Sequence, residues 1–308
     1  MTGLHAHITR FAVLAVWLTL LPGLVSANAL ERLFAPKSEP WPRWEQHAES
    51  DTRQISHKAW DRFLKAHLAR GEDGVARMDY AGVSAQDRTL LDDYISGLVS
   101  HEISGYNRSE QFAYWVNLYN ALTVQVILDH YPVASIRDID ISPGLLADGP
   151  WRKQLVKVEG EPLSLDDIEH RILRPLWADP RIHYAVNCAA IGCPNLQSVA
   201  FTAENTEQML EHAAIDYVNN PRGVSMDESG VTLSSIYNWF ESDFTDTDGV
   251  LNHVRKYAQP ELLARLNGVD RVKGYAYDWA LNDSRASLII LGEQKGRHHS
   301  SDQGEDRT

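Results

Sequence analysis

Both cysteines of this 308-residue chain fall in one stretch, His183-Tyr-Ala-Val-Asn187-Cys188-Ala-Ala-Ile-Gly-Cys193-Pro194. A thiol can be a nucleophile, a metal ligand or half of a disulfide, so all such chemistry in the chain is confined to this place. As a nucleophile, Cys188 would need an imidazole to favour its thiolate, a carboxylate to orient that imidazole and an amide to stabilise an oxyanion. His170 and His183 are the candidate bases, Glu169 or Asp243 the orienting carboxylate, and Asn117 or Asn120 the amide donors. General-base help of this kind is worth about 10² to 10⁴ in rate. The reaction class expected of such a set is acyl transfer or amide hydrolysis.

Other readings of the same residues compete. Gly192 and Pro194 supply a turn that could bring Cys188 and Cys193 within the ~7 Å needed for a disulfide, worth roughly 2 kcal/mol for so short a loop. Four ligands, His170, His183, Cys188 and Cys193, could hold zinc, but their spacing matches no standard structural pattern. The sequence lacks H-E-x-x-H, a glycine-rich phosphate loop and G-x-S-x-G. No metal and no cofactor is therefore expected. Asn117 and Asn120 could equally tie a loop to a helix, and Glu169 could be satisfied by Arg171, Arg174 or Arg181.

The elements that must position these groups follow from periodicity. Helices are expected from Ser56 to about Gly71 and from Ser84 through Leu98, the latter with Asp87 completing an acidic capping box. The longest periodic segment, Ser109 to Tyr131, ends at Pro132; it places Phe112, Trp115, Val116, Tyr119, Leu122, Val126 and Ile127 on one face beside a stripe of Glu110, Asn117 and Asn120. Two Asn residues inside so apolar a helix need tertiary partners. A hairpin is expected over 155–163, turned at Glu159-Gly160, then a helix from Leu165 to Leu173 capped by Ser164 and Asp167. On that helix Glu169 falls on the apolar side and must be paired or protonated.

Ile182 to Asn187 reads as a strand. In that conformation His183 and Cys188 have opposite parity and lie about 16 Å apart, which leaves His170 to approach the thiol and Glu169 to meet His183 or the amides, an assignment that a bulge at Asn187 would reverse. A helix over 202–218, a hairpin near Asp227–Gly230, a helix opened by Ser234, helical stretches over 246–266 and a strand over 271–279 complete the pattern. The expected fold class is α+β, a single mainly helical domain over 53–291 with a small sheet and short hairpins.

Four of these stretches carry a resemblance. Phe112-Ala-Tyr-Trp115-Val-Asn117-Leu-Tyr119-Asn120-Ala121, Leu165-Asp-Asp-Ile-Glu169-His170, His183-Tyr-Ala-Val-Asn187-Cys188 with Cys193-Pro194, and Trp239 with Asp243-Phe244 are similar in order and type to the domain of unknown function 547 family. The likeness spans about residues 100 to 245. It implies an exported bacterial type, with no leading coiled coil, and it brings no activity with it.

Composition sets the compartment and the partners. Phe11 to Leu24 is an apolar run preceded by Arg10 and followed by Val25-Ser26-Ala27, the pattern of an export signal cleaved near Ala27. Residues 28–52 read as an extended, Pro-rich lead-in and 292–308 as a disordered tail. With 42 acidic against 29 basic residues and a net charge of −13, the chain is not expected to bind nucleic acid. No stable membrane insertion is expected, because the apolar run is shorter than the roughly 20 residues that span a bilayer. A periplasmic or secreted protein with a peptide or cell-envelope substrate is one expectation. The other is a non-catalytic exported binding domain in which the polar cluster and the Cys188–Cys193 bridge are structural.

Overall fold

The computed structural model describes residues 35–144, 149–244 and 249–285. The expected signal peptide, the start of the lead-in and the tail lie outside them. The described chain is mixed α+β, with ten α-helices and three small sheets of two or three strands.

Helix α1 (Lys58–His67) leads into the hairpin β1 (Leu68–Arg70) and β2 (Ala76–Met78). Helix α2 (Ala85–Val99) starts where Ser84 accepts from the Asp87 amide, as its sequence requires. Helix α3 (Arg108–His130) is opened by Asn107, whose side chain accepts from the Glu110 amide. Every residue from Glu110 to Val124 is buried, so α3 is the axis of the domain and not a helix with one wet side. The difference from expectation is physical: Glu110, Asn117, Asn120 and Thr123 find partners inside, and a polar stripe so satisfied does not need water.

Around α3 pack α1, α2, the hairpin β3 (Val156–Val158) and β4 (Glu161–Leu163), and a π-helix over Asp167–Leu173 that runs into α4 (Arg174–Trp177). A second apolar cluster gathers α6 (Thr206–Val218), α9 (Gly249–Tyr257) and the sheet β5 (Val224–Asp227), β6 (Gly230–Ser234) and β7 (Val272–Ala276). In that sheet β6 pairs antiparallel with β5 and parallel with β7. Short helices α7 (Ile236–Trp239) and α8 (Glu241–Phe244) follow β6, and α10 (Pro260–Arg265) precedes β7.

One expected strand is a helix. Ile182–Ala185 forms α5, a single turn. A turn at Asp179 leads into it, the side chain accepting from the Arg181 amide at 2.8 Å and the carbonyl from the Ile182 amide at 3.1 Å, and that local hydrogen bonding outweighs a short alternation. The 16 Å separation inferred for an extended His183-to-Cys188 run therefore does not apply.

Beyond β7 the chain stitches separate parts together. The Ile191 amide donates to Ala280 and the Gly192 amide to Asp278, Leu281 donates to Ala134, and the Met78 amide donates to Asn282. Gly192 lies so close to this segment that a Cβ there would stand 2.8 Å from the Asp278 nitrogen, so only glycine fits.

Candidate active site

A cavity of about 620 Å³ opens where the π-helix, α5, α7, the cysteine turn and the segment after β7 meet. Glu169, His170, His183, Cys188 and Cys193 all line it, joined by Tyr119, Asp166 and Phe240. Asn117 and Asn120 do not line it.

The two amides have other work. Asn117 accepts from the Phe201 amide at 3.0 Å and donates to the Phe201 carbonyl at 2.7 Å. Asn120 donates to Ala185 at 2.9 Å and accepts from the Asn187 amide at 2.8 Å. Both side chains are used at each end to hold backbone, Asn120 fixing the peptide groups just ahead of Cys188. An oxyanion donor must point at the reacting atom, and neither amide reaches the cavity in this arrangement.

Cys188 and Cys193 are joined in a disulfide. The Tyr277 hydroxyl reaches both sulfurs, at 3.0 Å from Cys188 and 3.1 Å from Cys193. Cys193 is buried while Cys188 is partly accessible from the cavity side. Any nucleophilic use of Cys188 requires the bridge to be opened first.

The centre of the polar network is His183. Its Nε2 lies 2.9 Å from Asp243 Oδ2, and its Nδ1 faces Glu169 Oε1 at 3.6 Å. Its ring stacks on Phe240, centroids 4.3 Å apart and planes within 9°. Asp243 is gripped from its other side by Arg174, whose Nε and Nη2 donate at 2.6 and 3.0 Å. Burial would raise the Asp243 carboxyl, but the hydrogen bonds from His183 and Arg174 hold it well below the carboxylate range.

His170 stands on the other side of Glu169, its Nδ1 3.9 Å from Glu169 Oε1. Arg174 Nη1 donates to that same Nδ1 at 3.0 Å; since arginine has no lone pair to accept, Nδ1 is the unprotonated nitrogen and Nε2 carries the hydrogen toward Asp166, 3.8 Å away. Burial and the nearby guanidinium agree with this tautomer by pushing the imidazolium pKa down to about 4. Burial would raise Glu169, but the imidazoles of His170 and His183 and the Arg174 guanidinium hold its carboxyl below the ordinary range. The Tyr119 hydroxyl also bonds to Glu169. Asp166 goes the other way: burial and the Glu169 charge push it up to about 6.

Two carboxyls one helical turn apart are thus driven in opposite directions, the arrangement that assigns one group to hold a proton and the other to accept one. The sequence marked Glu169 as an apolar-side carboxylate needing partners. It named Arg174 only as one of three arginines that could satisfy Glu169, and did not mark Asp166, Tyr119 or Tyr277 as site residues. A helical wheel puts Asp166 three positions before Glu169, which could have flagged the pair; Tyr277 comes from a strand end whose docking no local pattern encodes.

The Glu169 partners expected from sequence were arginines. Arg171 instead bonds Asp167 at 2.9 Å, and Arg181 pairs with Asp179 and Glu207. Arg174 alone approaches the cluster, and its hydrogen bonds go to Asp243, His170 and the Pro36 carbonyl. Among the described residues, no group of three or more His, Cys, Asp or Glu side chains is arranged to hold a metal ion. No helix among them is long and apolar enough to cross a membrane.

Comparison with known proteins adds one finding. No curated protein and no solved structure matches the chain. A family model described as protein of unknown function, DUF547, matches residues 103–218, which takes in α3, the π-helix, α5 and the cysteine turn but stops short of Trp239, Asp243 and the segment after β7. The chain carries a DUF547 domain over those residues.

Proposed function

We propose that this is an exported hydrolase or acyl-transfer enzyme acting on a peptide or other cell-envelope substrate by carboxylate and imidazole acid–base chemistry. The observation that carries this reading is the convergence of Asp166, Glu169, His170 and His183 on one cavity large enough for a small ligand. Asp166, pushed up to about 6, is the proton donor to the leaving group. Glu169, kept ionised, takes the proton of the attacking water. Asp243 and Arg174 fix the His183 ring beside it, and the His170 ring, held by Arg174, stands between the two carboxyls without adding a charge. Export is supported by the N-terminal apolar run ending at Val25-Ser26-Ala27.

The thiol-dependent form of the reaction is the second reading, favoured by the partly accessible Cys188 facing the same cavity. It needs a reduced pair. A binding-only domain uses the same cavity without turnover.

The test is incubation of the mature protein with cell-envelope digests, products being followed by mass spectrometry. Asp166→Asn and Glu169→Gln should each lower turnover by about 10² or more, with a folded protein in both cases. Replacing Cys188 and Cys193 together by Ser should leave turnover in place. Full activity in both carboxyl variants would sink the acid–base reading; loss of activity only in the cysteine variant would favour the thiol form, and bound but unaltered ligand the binding domain.

A further inference from the structure

Four large aromatic side chains, Trp151, Trp239, Tyr277 and Trp279, line the same cavity as the carboxyls. Their rings form one continuous surface. Trp239 and Trp279 stack with centroids 5.5 Å apart and planes at 26°, Tyr277 lies 4.7 Å from Trp279 and 4.9 Å from Trp239, and Trp151 meets Trp279 edge-on at 5.8 Å. Aromatic clusters that serve only to pack are buried, as Trp44, Trp60 and Trp115 are here, each at 2% exposure or less. The four cavity rings are all partly exposed.

We infer that this aromatic shelf is a carbohydrate subsite, which binds at least one uncharged pyranose ring of a glycan in the cavity of the proposed enzyme. The inference rests on that cavity being a ligand site and adds the chemical class of the ligand.

A pyranose has a flat face of C–H groups that carry partial positive charge, complementary to the negative face of an indole or phenol ring. Its rim is a ring of hydroxyls that need two-pronged donors and acceptors. The cavity presents both kinds of surface. Arg137 lies with its guanidinium carbon 5.2 Å from the Trp279 centroid, and Arg152 stands with its Nε 3.7 Å from Asp166. Planar guanidinium and carboxylate groups are the side chains best suited to pairs of neighbouring hydroxyls.

The shelf is also placed by the fold and not by chance exposure. Tyr277 and Trp279 belong to the segment after β7 whose backbone accepts hydrogen bonds from Ile191 and Gly192, which seats this part of the shelf against the cysteine turn. Trp151 comes from the loop before β3, with its carbonyl accepting from the Asp166 amide at 3.0 Å. That bond joins the shelf to the carboxyl side.

The experiment is isothermal titration of the mature protein with chito-oligosaccharide and cello-oligosaccharide, and with a short peptide as contrast. Saturable binding of at least one oligosaccharide is expected, weakened about tenfold in Trp279→Ala and in Trp151→Ala. If Trp279→Ala fails to fold, Trp151→Ala and Trp279→Phe decide. A folded protein that binds neither oligosaccharide, or an affinity unmoved by the tryptophan variants, overturns the subsite. Peptide turnover without glycan binding would leave the acid–base reading standing and remove the shelf. Glycan binding with turnover unaffected in Asp166→Asn would do the reverse.

Discussion

Asn117 acts on a single distant residue: its side-chain amide takes both the N–H and the C=O of Phe201, as a neighbouring β-strand would. Asn117 is fully buried, so neither group of Phe201 can turn to water if the amide is removed. Asn117→Ala should therefore strand one buried donor and one buried acceptor and cost about 2 to 4 kcal/mol. Thermal unfolding of the variant should show a clear fall in midpoint, and ligand affinity measured below that midpoint should stay near the wild-type value. An unchanged midpoint would mean that the loop at Phe201 has another anchor. The need for partners was legible in the sequence, since two Asn residues three apart inside an apolar helix are poorly placed without them. Their identity was not. Phe201 lies 84 positions away and Asn187 lies 67 positions from Asn120, and local patterns do not encode such closures.

The π-helix illustrates how a backbone detail sets the position of an element. Arg174 donates to the Glu169 carbonyl, five residues back, so the helix takes one residue more per turn at the site. The next residue, Pro175, has no N–H. The carbonyls it would have served, His170 in the wider register and Arg171 in the ordinary one, are both left open. They are taken by the lead-in segment: the Glu39 amide donates to His170 at 3.0 Å and the Trp41 amide to Arg171 at 3.1 Å. Arg174 adds a bond to the Pro36 carbonyl, and the Arg171 guanidinium stacks over the Trp41 ring at 4.2 Å. Ala35 and Pro36 consequently line the cavity. The sequence marked a helix ending at Leu173, but the wider register depends on the tertiary grip on Glu169 and Arg174. Pro175→Ala should restore an internal partner for Arg171 and loosen the lead-in. Hydrogen exchange at the Glu39 and Trp41 amides should quicken while α3 stays protected. Equal protection in the variant would show that proline is not what frees these carbonyls.

At the scale of the whole molecule, the α+β class, the axial helix and the hairpins β3–β4 and β5–β6 were readable from periodicity and caps, because each is a local decision. The helix expected to run to about Gly71 ends at His67 where β1 begins, and the hairpin β1–β2 was not readable. The turn of helix at Ile182–Ala185 was not, and neither was the passage of the chain after β7 beside the cysteine turn. The acid response of the protein is a similar sum over distant places. His57, buried with its Nδ1 2.7 Å from the Tyr94 hydroxyl, is pushed down to about 4 by burial, as is His170. Both therefore stay neutral in the folded chain while the unfolded chain takes up protons below about pH 6.5, and stability falls as pH drops from there toward 4. Asp166 has the opposite sign: its folded value near 6 exceeds the ordinary carboxyl value, so the folded state binds a proton first and gains stability on the way from pH 6 to about 4. Each group contributes up to about 1.4 kcal/mol per pH unit. Two histidines against one carboxyl leave a net loss of about that slope between pH 6 and 4.5. Urea denaturation across this range should show it. Asp166→Asn removes the opposing gain and should roughly double the slope, whereas His57→Phe should flatten it. If Asp166→Asn leaves the slope alone, the carboxyl is already ionised in the folded protein, and with it goes the assignment of Asp166 as the proton donor.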